Sequence, residues 1–314
     1  MTKVGVIAIG GNSLIKDKDH RTIPDQYAAA AETCRHIADM ILEGWNVAIT
    51  SGNGPQVGFI LRRSELAASE VHEVPLDYCG AMSQGSIGYM ITRAMRNEFH
   101  RRGIHKPVAG IVTEVIVDRN DPAFLNPTKP IGSFMDQKTA EERAKTQGWR
   151  VVEDSGRGWR RVVPSPKPKE IAEIDAIQTL VHNGVIVYAV GGGGIPVVRN
   201  EQGLLEGVAA VIDKDYASSL LARALGADLL LISTAVECAY RNFGRPEQEP
   251  LRTITASEGD QLIREGHFAA GSMLPKIRAS IEFVRANGGI AIITDPPNIT
   301  RALRGETGTR IIPD

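Results

Sequence analysis

Val4-Gly5-Val6-Ile7-Ala8-Ile9-Gly10-Gly11-Asn12-Ser13 decides the reading of this chain: a nearly unbroken apolar run of strand length, closed by a glycine pair. A strand wetted on one face alternates apolar and polar residues, whereas a parallel strand covered on both faces does not. The run lacks a basic leader and a small-residue cleavage site, so it reads as a first strand and not as a signal peptide.

Working outward, strand-like runs at 47–50, 108–118, 185–190, 229–232 and 290–294 alternate with helical periodicity at 25–43, 75–102, 170–183, 214–225 and 275–287. In the first helix Tyr27, Ala30, Cys34, Ile37 and Ile41 recur at spacings of three and four, and Gly44 supplies the stop. Within 75–102, Gly80, Gly85 and Gly88 suggest close packing or a break. Alternation of this kind predicts an α/β fold: an open, mostly parallel sheet with helices on both faces. Residues 119–168 interrupt it with Pro, Gly, Lys and Arg. There, runs at 150–152 and 159–163 flank Ser155-Gly156-Arg157-Gly158, a hairpin turn by composition. We read 119–168 as a small subdomain inserted into one domain spanning 1–314, with Trp149 and Trp159 packing it and Arg157, Arg160 and Arg161 forming either a solvated face or a substrate contact.

Composition narrows the function. Formal net charge is −1 over 314 residues, which gives no electrostatic case for nucleic acid or an anionic membrane as partner. Three widely spaced cysteines, Cys34, Cys79 and Cys238, fit packed thiols in a reducing compartment. No apolar run approaches the roughly 20 residues of a membrane span. The expectation is a soluble cytoplasmic protein.

In an open parallel sheet the chemistry sits beyond the carboxyl ends of the strands. Glycine-rich loops follow three of them: Gly10-Gly11-Asn12-Ser13, Ser51-Gly52-Asn53-Gly54-Pro55 and Gly191-Gly192-Gly193-Gly194. Backbone N–H groups in such loops suit phosphate oxygens. A Walker A loop is excluded, because the chain contains no Gly-Lys dipeptide. A dinucleotide fingerprint is excluded too, because Ile195-Pro196-Val197-Val198 after the glycines is not helical in pattern. A glycine-loop kinase without a Walker motif remains.

Seven blocks, in order, make the resemblance specific. They are Ile9-Gly10-Gly11-Asn12, Gly52-Asn53-Gly54-Pro55-Gln56-Val57-Gly58, Asn126-Pro127-Thr128-Lys129-Pro130-Ile131-Gly132, Gly158-Trp159-Arg160-Arg161-Val162-Val163-Pro164, Gly191–Gly194 with Ile195-Pro196, Ala210-Val211-Ile212-Asp213-Lys214-Asp215 and Gly271-Ser272-Met273-Leu274-Pro275-Lys276. The chain resembles carbamate kinase, a branch of the amino-acid-kinase superfamily. The resemblance implies a three-layer αβα sandwich with a protruding subdomain acting as a lid, a homodimer, and reversible phosphoryl transfer between carbamoyl phosphate and ADP, giving ATP and carbamate. It implies magnesium carried by the nucleotide, with no metal ligand from the protein. Lys129, Lys214 and Lys276 would neutralise phosphate charge, with Asp215 orienting them or the metal. Gly10, Gly11, Asn12, Ser51, Gly52, Asn53, Gly54, Gly192 and Gly193 would hold the phosphoryl group and carbamate. Ser233, Thr234, Ala235, Val236, Glu237, Tyr240 and Met273 would line the adenine and ribose pocket.

The chemistry agrees with that picture. Carbamate oxygen is already anionic at neutral pH, so no strong base is needed, and none of the seven histidines lies in these loops. Cations between two repelling anions are needed, and three lysines supply them. The third, Lys276, follows Pro275 in a first helical turn, where the helix dipole disfavours a cation unless an anion joins it. Two positions depart from the family pattern: Ser51 stands where histidine is common, and Glu237 ends a stretch that often ends in aspartate. The alternatives are a kinase of another small carboxylate or phosphate, and a catalytically silent nucleotide-binding regulator.

Overall fold

Eight strands share one sheet in the computed structural model, which describes residues 3–11, 14, 15, 17, 19–154, 156 and 158–314. They are β1 (Val4–Ile9), β2 (Asn46–Ser51), β3 (Val108–Gly110), β4 (Ile186–Tyr188), β5 (Leu229–Ser233), β6 (Thr253–Thr255), β7 (Ile290–Thr294) and β8 (Thr309–Ile312). Their spatial order is β6-β8-β7-β5-β1-β2-β4-β3. All neighbours are parallel except β7 and β8.

The two-residue period of β1 explains the layers. Val4, Val6 and Ala8 join a core with Ile177 and Val181, Ala217 and Leu221, and Ile277 and Ile281. These come from helices α5 (Ile174–His182), α6 (Lys214–Ala224) and α8 (Met273–Asn287). Ile7 and Ile9 point the other way, into a second core with Cys34, Ile37 and Ile41, and with Ile87, Ile91 and Met95. Those belong to α1 (Ile23–Leu42) and α3 (Leu76–Arg102). A strand with both faces buried must be apolar throughout, which is why the opening run shows no polar alternation.

The stretch 108–118 is not one strand. Its first part is β3, whereas Glu114–Val117 joins a separate sheet ordered Leu205–Gly207, Ile195–Arg199, Glu114–Val117, Pro168–Ile171. Gln84 enforces the break by accepting from Thr113 N at 2.8 Å and donating to Thr113 O at 3.0 Å. Residues 170–183 likewise divide into the strand Pro168–Ile171 and then α5. Helix α3 runs unbroken past Gly80 and Gly85, which face open space, while a Cβ on Gly88 would sit 3.0 Å from the Tyr188 ring.

Glu114–Val117 and Pro168–Ile171 are antiparallel neighbours, with Val115 opposite Ile171, so the intervening chain leaves and returns side by side. Between them Lys129–Met135, Trp159–Val163 and Arg150–Glu153 form a three-stranded antiparallel sheet beside helix α4 (Gln137–Gln147). Ser155 and Arg157 of the expected turn lie outside the described residues. The sequence reading also lacked helix α2 (Gly54–Ala67) and the strand Lys129–Met135. Among the described residues no helix is long and apolar enough to cross a membrane.

Candidate active site

Strands β5, β1, β2 and β4 are adjacent and parallel, so the turns at their carboxyl ends meet along one edge of the sheet. A cavity of about 260 Å³ opens there, lined by Gly11, Gly52, Asn53, Gly54, Lys129, Gly192, Asp213, Lys214, Asp215, Ser272 and Lys276, among others. Three helices begin at its wall: α2 at Gly54, α6 at Lys214 and α8 at Met273. The caps of α2 and α8, Asn53 and Ser272, make no side-chain hydrogen bond to their helices. The positive dipole ends of both helices are thus left for an anion, and with them first-turn amides of α2, whereas in α8 Leu274 N is spent on Ala269 O at 3.1 Å and Pro275 has no N–H.

The lysines converge although they are far apart in sequence. Lys214 pairs with Asp215 Oδ1, and Lys276 Nζ donates to Asp215 Oδ2 at 2.9 Å. Lys129 Nζ, arriving from the three-stranded sheet, donates to Asp213 Oδ2 at 2.8 Å. Asp213 spends its other oxygen on capping α6, accepting from Asp215 N at 2.9 Å. Burial alone would raise the Asp215 carboxyl, but Lys214 and Lys276 outweigh it and hold the group well below the usual carboxylate range. Burial weakens the hold of Lys214 on its proton, and the like charge of Lys276 adds to that, against the pull of Asp215. Two lysines sharing one carboxylate leave one uncompensated positive charge in a low-dielectric pocket, a state that an incoming anion relieves.

Glycine serves close approach here more than donation. Gly52 N already donates to Ile9 O at 2.9 Å, Gly193 N to Val190 O at 3.1 Å and Gly194 N to Gly191 O at 3.1 Å, so the expectation of open amides at these loops does not hold for them. At Gly192, with φ +68, a Cβ would lie 2.0 Å from the Asn53 side-chain nitrogen, so any other residue would expel Asn53 from its place. Asn53 Nδ2 in turn donates to Ser83 Oγ at 2.8 Å. Gly10 lets the Ser233 carbonyl approach to 2.7 Å of where its Cβ would be. Gly193 lies against Ile212 O, which a Cβ would meet at 2.4 Å.

Ser51 does not face the cavity. It is fully buried under the floor, and its hydroxyl lies 2.8 Å from the equally buried Tyr188 hydroxyl. The sequence order Ser51-Gly52 suggested a loop position, but β2 extends through Ser51 and the strand's alternation turns that side chain inward. Asn12 lies outside the described residues.

The expected nucleotide stretch leaves the end of β5 next to Gly10 and does not border the lysine cavity. Thr234 N donates to Thr294 O at 2.8 Å, and the Glu237 carboxylate is taken up by Thr307 Oγ1 and by Arg252 Nη1 at 3.3 Å. Tyr240 stands 5.8 Å, centroid to centroid, from the exposed ring of Phe243. Ala235 and Val236 lie in the connection between β5 and the short strand Ala239–Arg241, and Met273 opens α8.

Sequence reasoning missed Asp213 as the seat of Lys129, and it missed the start of α2. The clue to α2 was Pro55 in its first turn, after which Val57, Leu61 and Ser64 bury one face. The arginine cluster is not a solvated face: Arg160 is bonded to Asp154 at 3.1 Å, and Arg161 lies over the Trp149 ring. Arg157 is outside the described residues.

A family model described as the amino acid kinase family matches residues 3–295. The chain is 49% identical to carbamate kinase of Thermococcus kodakarensis over 311 residues, covering 98% of each. It is 50% identical to carbamate kinase of Clostridium perfringens over 315 residues, covering 98% of this chain and 99% of the relative. Carbamate kinase from Giardia lamblia bound to AMP-PNP superposes with a TM-score of 0.93 at 46% identity, covering 100% of this chain and 99% of the other.

Proposed function

We propose roles for the groups of this cleft from the premise that the chain belongs to the amino acid kinase family, as one of its carbamate kinases. The reaction is reversible phosphoryl transfer between carbamoyl phosphate and ADP, giving ATP and carbamate. The observation that carries the assignment of roles is the set of three ammonium groups and three helix starts around one cavity. Phosphoryl transfer needs little covalent help from the protein and depends on alignment and on charge neutralisation at the equatorial oxygens.

Lys214 and Lys276 grip the phosphoryl group in transit, with Asp215 holding both ammonium groups at fixed positions. Lys129 answers the remaining charge from above. The first-turn amides of α2, with Gly11 beside them, receive the carbamate oxygens, and Asn53 is fixed there by Ser83 and Gly192. Ser233–Tyr240 and Met273 hold the adenine and ribose, reached from the same strand ends. A magnesium ion carried by the nucleotide would supply further charge neutralisation at the phosphates. Among the described residues no group of three His, Cys, Asp or Glu side chains forms a separate cage for it, and the carboxylates of the cleft are engaged by lysines. Asp213, the more exposed of the two, would be the carboxylate to hold the hydrated ion.

Residues 119–168 serve as a lid that brings Lys129 down onto the substrate and excludes water. The working form is a homodimer in the cytoplasm. Helix α3 leaves Tyr78, Met82 and Tyr89 exposed along one side, an apolar stripe suited to a second copy. Tyr89→Asp should halve the mass seen by light scattering, and an unchanged mass would place the contact elsewhere.

ATP formation from ADP tests the assignment, with carbamoyl phosphate set against acetyl phosphate and acetylglutamyl phosphate as donors. Carbamoyl phosphate should lead in kcat/KM by at least about 10², some 2.7 kcal/mol of transition-state preference. A lead for either other donor would put the acceptor in another branch of the family.

A further inference from the structure

A second cavity, of about 250 Å³, lies between α2 and the three-stranded sheet; it borders the lysine cleft only at Ile131. One face of α2 supplies Leu61, Arg62 and Glu65, and the strand Lys129–Met135 supplies Ile131 and Phe134. Trp149, Arg143 and Arg161 close it. Apart from Ile131, none of these side chains lines the lysine cleft.

Its charges do not balance internally. Glu65 accepts from Arg62 at 3.1 Å and from Arg143 at 2.8 Å, so one carboxylate already serves two guanidinium groups. Asp136 is consumed as the cap of α4, accepting from Thr139 N at 2.9 Å and Thr139 Oγ1 at 3.0 Å. Arg161 is left over. Its guanidinium stands 4.8 Å from the centre of the Trp149 ring and, among the described residues, makes no hydrogen bond or ion pair. Burial pushes its pKa down, against the pull of the Glu65 carboxylate. A half-buried guanidinium with no acceptor in the protein can take one from a ligand. Its planar fork matches a carboxylate through two parallel hydrogen bonds. Leu61, Ile131, Phe134 and Trp149 give the cavity an apolar wall beside the polar Ser133 and Thr139, which suits a ligand that pairs a charged head with a short hydrocarbon body.

We propose that this cavity binds a small organic carboxylate, its charged head on Arg161 and its apolar body against Trp149. An occupant would touch both α2 and the strand Lys129–Met135, the two elements that carry Gly54 and Lys129 into the cleft, and so would fasten lid to core.

The full chain can be titrated with sodium butanoate while tryptophan emission is followed, with inorganic phosphate as the comparison anion. A saturable change is expected that Trp149→Phe abolishes. In Lys276→Ala, where the phosphoryl site is crippled, the butanoate Kd should be unchanged. Arg161→Gln should raise that Kd at least about tenfold, and Arg161→Lys, which keeps the charge without the fork, should fall between. Circular dichroism checks that each variant is folded, and if Arg161→Gln fails to fold, Arg161→Lys carries the comparison. The proposal is overturned by absence of saturation, by survival of the signal in Trp149→Phe, by its loss in Lys276→Ala, or by an unaltered Kd in both arginine variants. It is overturned equally by phosphate binding as tightly as butanoate, which would show that the cavity reads charge alone.

Discussion

Two sides of the cleft hold the same kind of charge by different means. On the sheet side, Lys214 and Lys276 are each 13% exposed, rise from the first turns of α6 and α8, and share Asp215, itself 4% exposed. On the opposite side Lys129 is 39% exposed, rides on a strand of the small sheet, and is tied to Asp213 by one bond. The first pair is anchored in the main core and preorganised, and its electrostatic worth is magnified by burial. The second is a charge on a separately built unit and is screened by solvent. On the proposed assignment the buried pair would fix the transferring group from beneath, and Lys129 would add the last cation with the substrate in place.

The comparison breaks first if the buried pair proves dispensable. Lys214→Ala or Lys276→Ala should each lower kcat about 10²- to 10³-fold, the loss typical of removing one preorganised charge-stabilising group. Their far-UV dichroism should match the parent's. Near-normal turnover in both would mean that the phosphoryl group lies elsewhere.

A smaller effect sharpens the contrast. Lys129→Ala should lower kcat/KM by about 10- to 10²-fold, and the parent's advantage over it should shrink as salt is raised, because a half-exposed charge is screened and a buried one is not. Amide exchange in residues 119–168 should slow when ADP and an unreactive carbamoyl phosphate analogue bind. Unchanged exchange with ligand bound would leave Lys129 a fixed wall and remove the lid.

The smallest effect is expected at Ser51. Because its hydroxyl meets Tyr188 beneath the floor, Ser51→Ala should cost about 1–2 kcal/mol in stability, by leaving a buried phenol hydroxyl unpaired, with kcat changed less than about threefold. A large fall in kcat with stability intact would return Ser51 to the substrate surface.

Much of the frame was legible because it rests on local signals. The apolar run of β1 and the three-and-four spacing of α1 need no distant partner to be recognised, and the structure has them at Val4–Ile9 and Ile23–Leu42. The failures were equally physical. The chain from 108 to 118 is uniformly apolar enough to read as one strand, and only Gln84, from another helix, turns it at Thr113. Helix α2 was hidden behind its glycine- and proline-rich start, which looks like loop until the buried face of Val57, Leu61 and Ser64 is counted.

Residue type and spacing along the chain were enough for the alternating α/β order and the family, and they singled out the glycine-rich loops and the three lysines as candidates. Tertiary structure alone decided how those parts act. Lys129 meets Asp213 across 84 residues, Lys276 meets Asp215 across 61, and Ser51 turns to Tyr188 across 137. It also decided that the amides of Gly52 and Gly193 are spent within the fold, and that Arg161 has no acceptor among the described residues. Hydrogen bonds and desolvation act at contact distance, so which donors are spent and which charges stay unpaired is settled only when distant segments pack.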